Sequence, residues 1–506
     1  MLSSLSVLAE VKARGGKPLS ADAIVALHGS GAWPTGVGEP IEGLLREFAE
    51  KIETGTCQSS VVAVLPRDAA EAAPMLLLDS VTLGNWLPGV EGRKAAMARV
   101  IDLARRQGVE RLQVMLSSGN GDAADLAADL FEGAALGDFT DERFKSKTET
   151  RPVIKLVFVV DKERKRFVEA ALKRRQGICE GISLARLLVN APHNILTPEE
   201  LADEALRLAE YHQLGATVLD EEAIQRQDYR LLWNVGRGSE YPPRMVVLRY
   251  APKNARKGLP HVVLVGKGMT YDSGGYSIKT RESMPHMNGD MGGAATVLGA
   301  MQAIASMELP VRVTAIIPSA HNAIDAAAYQ PGCILTHKSG KTVFIGNTDA
   351  EGRLILADAF HRAGEEKAQV MIDFATLTGA AVRALGPSMA ALFTDDEALS
   401  ASLLKAAGDS GDTLWRLPLW KEYESSLRHP LADMNNISQL GADGGAIHAA
   451  NFLKAFVPEG VRWAHVDLAG PALAPKGFRF LRPGASGFGV RLVAQWLQDA
   501  LAAKAI

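Results

Sequence analysis

Three short stretches of this 506-residue chain concentrate side chains able to do chemistry. The first, VGKGMTYDSGGYSIK, runs from Val265 and presents Lys267, Asp272 and Lys279 in a Gly-rich setting. Glycines of this kind let backbone approach a ligand or a neighbouring segment closely. Alone, the stretch is equally a phosphate-cradling loop or a plain turn, although the P-loop spacing of glycines before Lys-Ser or Lys-Thr is absent. The second stretch, GDMGGAA, places Asp290 just before an apolar helical pattern, where an aspartate ordinarily caps a helix. The third, NTDAEGRL, carries Asp349, Glu351 and Arg353. In an extended segment, side chains two residues apart share a face, so both carboxylates would point the same way. A charged turn with an Asp–Arg ion pair is the competing reading.

Taken together, the three stretches say more. Asp272, Asp290, Asp349 and Glu351 fall on loops after predicted strands, at the sheet edge where open α/β folds bind ligands. Four carboxylates facing one cavity repel unless divalent cations neutralise them. Oxygen-rich, bridging ligation suits a pair of divalent ions about 3.5–4 Å apart. Zinc, manganese and magnesium are the chemically suitable occupants. The chain lacks HExxH and its 11 histidines are scattered, so histidine ligation is not indicated. His286 lies near the acids but reads as a surface or supporting residue.

The elements that must position these groups follow from periodicity. Residues 1–160 alternate strand-like and helix-like patterns, with strands expected at 5–11, 23–27, 60–65, 111–116 and 153–160 and a helix at 92–106. This is a small N-terminal α/β domain with no catalytic cluster, assigned to assembly or regulation. Residues 161–190 form a basic connecting helix whose charges read as a solvated face. Residues 191–506 form the larger catalytic domain. It opens at Thr197, Pro198 and Glu200, a helix start with an N-cap, proline at the first position and an acid at the third. Apolar strands follow at 245–249, 261–265, 311–317, 370–374, 390–393 and 463–468, with helices such as 292–306 and 354–363 between them. The fold class is therefore α/β, with two domains and a mixed, largely parallel sheet in the second.

The strings VGKGMTYDSGGYSIK, GDMGGAA and above all NTDAEGRL resemble those of the leucine (cytosol) aminopeptidase family. The resemblance extends to VNAPHNILTP from Val189, DFATLTGA from Asp373 and WAHVDLAG from Trp463, and covers the chain from about residue 180 to its end. It implies a metallopeptidase that removes amino acids, leucine and other apolar residues preferred, from peptide N-termini. Two divalent ions per subunit, zinc or manganese, are implied. Lys267 would be a neutral amine ligand to one metal, shared with Asp290. Asp272 and Glu351 would bridge both metals, and Asp349 would bind the other. Burial and adjacent cations would lower the Lys267 pKa enough for ligation. Lys279 would polarise the scissile carbonyl, and Arg353 would hold a bicarbonate ion serving as general base. Met287, Thr376, Gly379, Ala469 and Ala472 would line the pocket for the first side chain. The family also implies a homohexamer. Thr280, where a proline is common, and Asn288, where a basic residue is common, depart from the usual pattern and bear on substrate preference. Ala472 stands where relatives carry a bulkier apolar residue, which would widen the pocket.

Composition bounds the alternatives. A formal net charge of −3 without like-charge blocks gives no support for nucleic-acid or membrane-surface binding. No stretch reaches the ~18 uninterrupted apolar residues of a membrane span. The N-terminal apolar run is short, is broken by Glu10 and Lys12 and lacks a basic leader, so no secretory signal is expected. Cys57, Cys179 and Cys333 are far apart and read as reduced thiols. A cytoplasmic location is expected. A DNA-binding regulator, a catalytically dead scaffold and a two-metal phosphoesterase are the competing classes. Filled site positions count against the scaffold, and the scarcity of histidines counts against the phosphoesterase.

Overall fold

The computed structural model describes residues 5–13, 23–28, 75–79, 90–106, 108–116, 123–148, 151–253, 255 and 258–506. These divide into two compact units, residues 5–179 with 479–482, and residues 180–478 with 483–506. The dividing line falls inside the helix Lys165–Asn190 rather than at either of its ends.

The N-terminal unit holds a five-stranded sheet of β1 (Val7–Ala13), β2 (Ala23–His28), β3 (Met75–Asp79), β4 (Arg111–Met115) and β5 (Ile154–Val160). Its order is β1-β5-β4-β2-β3, and every adjacent pair is parallel. Helices α1 (Val90–Arg106) and α2 (Ala123–Gly137) pack together so closely that a Cβ on Gly133 would lie 2.2 Å from the Lys94 carbonyl oxygen. The strand β3 and the helix α2 were not anticipated. The expected strand at 60–65 and Cys57 lie outside the described residues.

The second unit begins within α3 (Lys165–Asn190), followed by α4 (Pro198–His212). Thr197 caps α4 as expected, its Oγ1 accepting from the Glu200 N–H at 3.3 Å. The strands β6 (Gly215–Leu219), β7 (Arg244–Tyr250), β8 (His261–Gly266), β9 (Gly268–Asp272) and β10 (Arg312–Asn322) come next. Short strands β11 (Ile334–Thr336) and β12 (Thr342–Phe344) precede β13 (Val370–Ala375), β14 (Ala390–Phe393), β15 (Leu414–Arg416), β16 (Met434–Asn435) and β17 (Arg462–Asp467). The main sheet has the order β15-β14-β17-β13-β8-β10-β7-β6, with β9 pairing β10. Its centre, β17-β13-β8-β10, is parallel throughout. Antiparallel pairs occur at β10–β7, β7–β6 and β14–β17. The sheet is mixed and largely parallel, as the continuous apolar runs imply. Strands β8 and β13 are buried at every residue, which requires cover on both faces.

One expectation fails here. The residues after β8 are not only a Gly-rich turn. Gly268–Asp272 forms a strand of its own that carries Asp272 alongside the end of β10. The strand is only 5 residues long and lies between Gly266 and Gly274, so its pattern is too short to read, and its pairing partner lies about 50 residues away in sequence.

Candidate metal centre and active-site cavity

Strand order fixes where a ligand can sit. β10 lies on one side of β8 and β13 on the other, so the chain reverses its direction of travel across the sheet at β8. Such a reversal opens a crevice beyond the carboxyl ends of the strands. Lys267 follows β8, Asp272 ends β9, Asn322 ends β10, Thr376 follows β13 and Asp467 ends β17. All five groups therefore collect at one edge.

Lys267 enters the crevice buried. Its Nζ donates to Asp290 Oδ1 at 2.8 Å and to the Thr376 carbonyl at 2.9 Å, and lies 3.0 Å from Glu351 Oε1. Gly352, the first residue of helix α5 (Gly352–Glu365), makes room for it, since a Cβ there would sit 2.6 Å from Lys267 Cε. Burial works against the ammonium, but Asp290, Glu351 and Asp272 outweigh it and push its pKa up. Burial alone does not deprotonate this lysine. Metal charge in place of the proton is what would turn it into an amine ligand.

Lys279 stands opposite. Its Nζ lies 2.8 Å from Asp272 Oδ2 and also meets Asp349 Oδ1. Burial again opposes the charge, and the surrounding carboxylates, Asp272 first, raise its pKa nonetheless. Asp272 Oδ1 accepts from the Gly274 N–H at 2.9 Å and from Asn322 Nδ2 at 2.8 Å.

Asp290 lies in a 3-10 helix, Met284–Met291, and does not cap the helix that follows. That helix, α6 (Gly292–Met307), has Met291 at its cap and no capping side chain. The Asp290 carboxylate instead turns into the crevice, where Oδ1 also accepts from Thr376 Oγ1 at 2.8 Å. Burial, with Glu351 and Asp272 nearby, pushes its pKa up to about 8 against the lowering effect of Lys267.

Asp349 and Glu351 do not sit in an extended segment. Asp349 occupies a turn, its N–H bonded to Asn347 Oδ1 at 2.7 Å. Glu351 has the helical φ of −74° and ψ of −37° at the start of α5. The turn is held because Thr348 Oγ1 donates to the Gly274 carbonyl at 2.6 Å and the Thr348 carbonyl accepts from Tyr329 and Asn322. The Asp349 pKa is raised by burial and by Glu351.

Carboxylate oxygens of Asp272, Asp290 and Glu351 lie within 4.8 Å of one another. Asp290 Oδ2 and Glu351 Oε2 are buried without a hydrogen-bond partner among the described residues. A cavity of about 380 Å³ opens beside them. Lys267, Asp272, Lys279, Asp290, Asp349 and Glu351 line it, and so do Met287, Thr376, Gly379, Ala469 and Ala472. Exposed His286 reaches its rim. Arg353 alone of the expected site residues does not line the cavity. It is buried on α5, Nη1 donating to the Asn436 carbonyl at 2.7 Å, and its Nε has no hydrogen-bond partner among the described residues. Burial lowers its pKa to about 10. No Asp349–Arg353 ion pair forms among the contacts of either residue.

Asn322 and Asp467 escaped the sequence reading. Each is a polar residue at the carboxyl end of a buried strand, and that position was the available signal.

Residues 183–494 match the family model for the cytosol aminopeptidase family, catalytic domain. The probable cytosol aminopeptidase of Geobacter sp. (strain M21) is 42% identical over 368 residues, 72% of this chain and 74% of that protein. The probable cytosol aminopeptidase of Chlorobaculum parvum is 38% identical over 515 residues, 97% of this chain and 99% of that protein. Among solved structures, a mutant of tomato leucine aminopeptidase superposes with a TM-score of 0.83 at 31% identity, covering 97% of this chain and 96% of that one. The bottromycin maturation enzyme BotP in complex with Mn gives 0.80 at 34% identity, covering 95% and 99%. The groups gathered at this sheet edge thus lie in a chain that belongs to the cytosol aminopeptidase family and is a metallo-aminopeptidase.

Proposed function

We propose that this chain is a two-metal aminopeptidase releasing N-terminal amino acids, leucine and other apolar residues preferred, from peptides. One observation carries the reading. A buried triad of carboxylates, Asp272, Asp290 and Glu351, shares one wall of a cavity whose remaining walls are largely apolar. The donor set fits divalent ions. Two buried carboxylate oxygens lack partners, and buried anions this close need cationic compensation.

Lys267 and Asp290 would hold one ion, Asp349 the other, and Asp272 and Glu351 would be shared. When bound, the pair supplies Lewis-acid polarisation of the scissile carbonyl and acidifies water enough for attack at neutral pH. The chain's own groups do the rest. Lys279, kept charged by its carboxylate neighbours, donates to the oxygen on which negative charge develops. Arg353, its Nε without a partner among the described residues, would hold a bicarbonate ion as the anionic base. The substrate's free α-amine would be taken as a ligand at this metal-bearing wall, which accounts for exopeptidase action. Val382, Pro387 and Leu473 offer apolar surface and no ionic partner for the first side chain. Ala472 leaves room there for an aromatic side chain. Manganese or zinc would serve as the metal, the BotP neighbour having been solved with Mn.

The working form would be a cytoplasmic homohexamer acting on soluble peptides. Among the described residues no helix is long and apolar enough to cross a membrane. The net charge of −3 gives no reason to add a nucleic-acid partner. The test is hydrolysis of aminoacyl-p-nitroanilides by chelated and metal-restored protein, beside Asp349→Ala and Glu351→Ala. Metal-restored hydrolysis that both substitutions abolish supports the reading. Metal-loaded, assembled wild type that is inert to every substrate overturns it.

A further inference from the structure

We infer that Asp467, which has no place in the metal set, is a positioning residue that clamps together the two loops forming the apolar wall of the substrate cavity. The inference rests on the aminopeptidase reading of that cavity.

Asp467 ends β17 and is 1% exposed. Its carboxylate accepts from two separate segments. On the loop after β13, Oδ1 takes the N–H of Leu377 at 3.1 Å and of Thr378 at 3.4 Å, while Oδ2 takes the Thr378 hydroxyl at 2.7 Å. On its own loop, Oδ1 takes the Ala469 N–H at 3.2 Å. Leu377, Thr378 and Ala469 all line the cavity.

The clamp reaches further through Thr378. Its Oγ1, having donated to Asp467, accepts from the Ala381 N–H at 3.0 Å. That bond caps the helix α7 (Gly379–Leu385), whose Gly379 and Val382 also line the cavity. One buried carboxylate therefore sets the register of the 376–382 wall against the 469–473 wall. Buried hydrogen bonds to a charged acceptor are strong and directional, so the spacing of the walls is held tightly. The metal-side residues have anchors that do not pass through Asp467: Asp290 and the Thr376 carbonyl, at the start of the clamped loop, hold Lys267, and Asn322 holds Asp272. Loss of the clamp should loosen side-chain recognition and leave the reacting centre in place.

The test compares metal-loaded wild type with Asp467→Asn, Thr378→Val and Thr378→Ser, on alanine, leucine and phenylalanine p-nitroanilides. Metal content and melting temperature are read on each protein. Asp467→Asn keeps the shape and one acceptor oxygen, but turns an NH2 toward the Thr378 hydroxyl. We expect KM for leucine and phenylalanine substrates to rise about tenfold, the loss expected from one charge-assisted hydrogen bond. The alanine substrate, which touches little of the wall, should change far less. kcat and metal content should stay within a factor of about three of wild type. Thr378→Val should reproduce the shift, and Thr378→Ser should restore wild-type KM. If Asp467→Asn does not fold, the Thr378 pair decides the matter alone. An unchanged leucine-to-alanine ratio in the variants, or a loss traced to metal content, overturns the clamp while the aminopeptidase reading stands. A wild type inert to all three substrates overturns both.

Discussion

Lys267 stands where burial and three carboxylates pull its proton in opposite directions. The carboxylates win, and Asp290 beside it is itself driven up to about 8. Protons therefore compete with cations for this pocket. Metal loading should release protons, and metal affinity should rise with pH through about 8. The sign follows from the raised pKa values: below them the site holds protons that an entering ion must displace. Calorimetric titration of metal-free protein with manganese at pH 6.5 and 8.5 checks this, and equal affinities would count against it. Lys279→Met should lower kcat by about a hundred- to a thousand-fold, the usual loss of one oxyanion donor. Metal content should be unchanged, which separates this role from ligation. Ala472→Leu should cut kcat/KM for phenylalanine relative to leucine by about tenfold, since crowding an apolar pocket is worth roughly 1–3 kcal/mol.

Elements rather than residues decide how far the chain could be read in advance. The apolar runs at β8, β10, β13 and β17 were legible because strands covered on both faces need no polar alternation. The acidic strings were legible because so many carboxylates in Gly-rich loops have few structural uses. β9 was not, because it is only 5 residues long and pairs with β10 rather than with a sequence neighbour. The helical start at Glu351 was not, because the turn before it depends on Tyr329 and Asn322, far away in sequence. Two glycines make a contrast at this scale. A Cβ on Gly293 would lie 2.0 Å from the Phe374 carbonyl oxygen, so Gly293→Ala must push α6 off β13. It should destabilise by about 1–3 kcal/mol, as overpacking usually does. The three atoms nearest to a Cβ on Gly352 all belong to the flexible Lys267 side chain. Gly352→Ala should cost little in melting temperature and displace the ammonium, lowering metal affinity and activity together.

At the scale of the whole molecule, the catalytic unit brings together side chains from Lys267 to Ala472 at one sheet edge and one cavity. Every described residue that lines the cavity belongs to the catalytic unit. The proposed hexamer would show in solution as a mass six times 54.0 kDa. A monomer by sedimentation equilibrium would remove that proposal without touching the site. The most direct test of the central claim couples metal to reaction. Chelated wild-type protein is titrated with manganese while bound metal and leucine-p-nitroanilide hydrolysis are followed together, with N-acetyl-leucine-p-nitroanilide as control. Activity absent after chelation, returning as two ions per chain bind, and confined to the free amine, is the expected result. Full activity without metal, or equal cleavage of the acetylated substrate, would contradict a two-metal aminopeptidase.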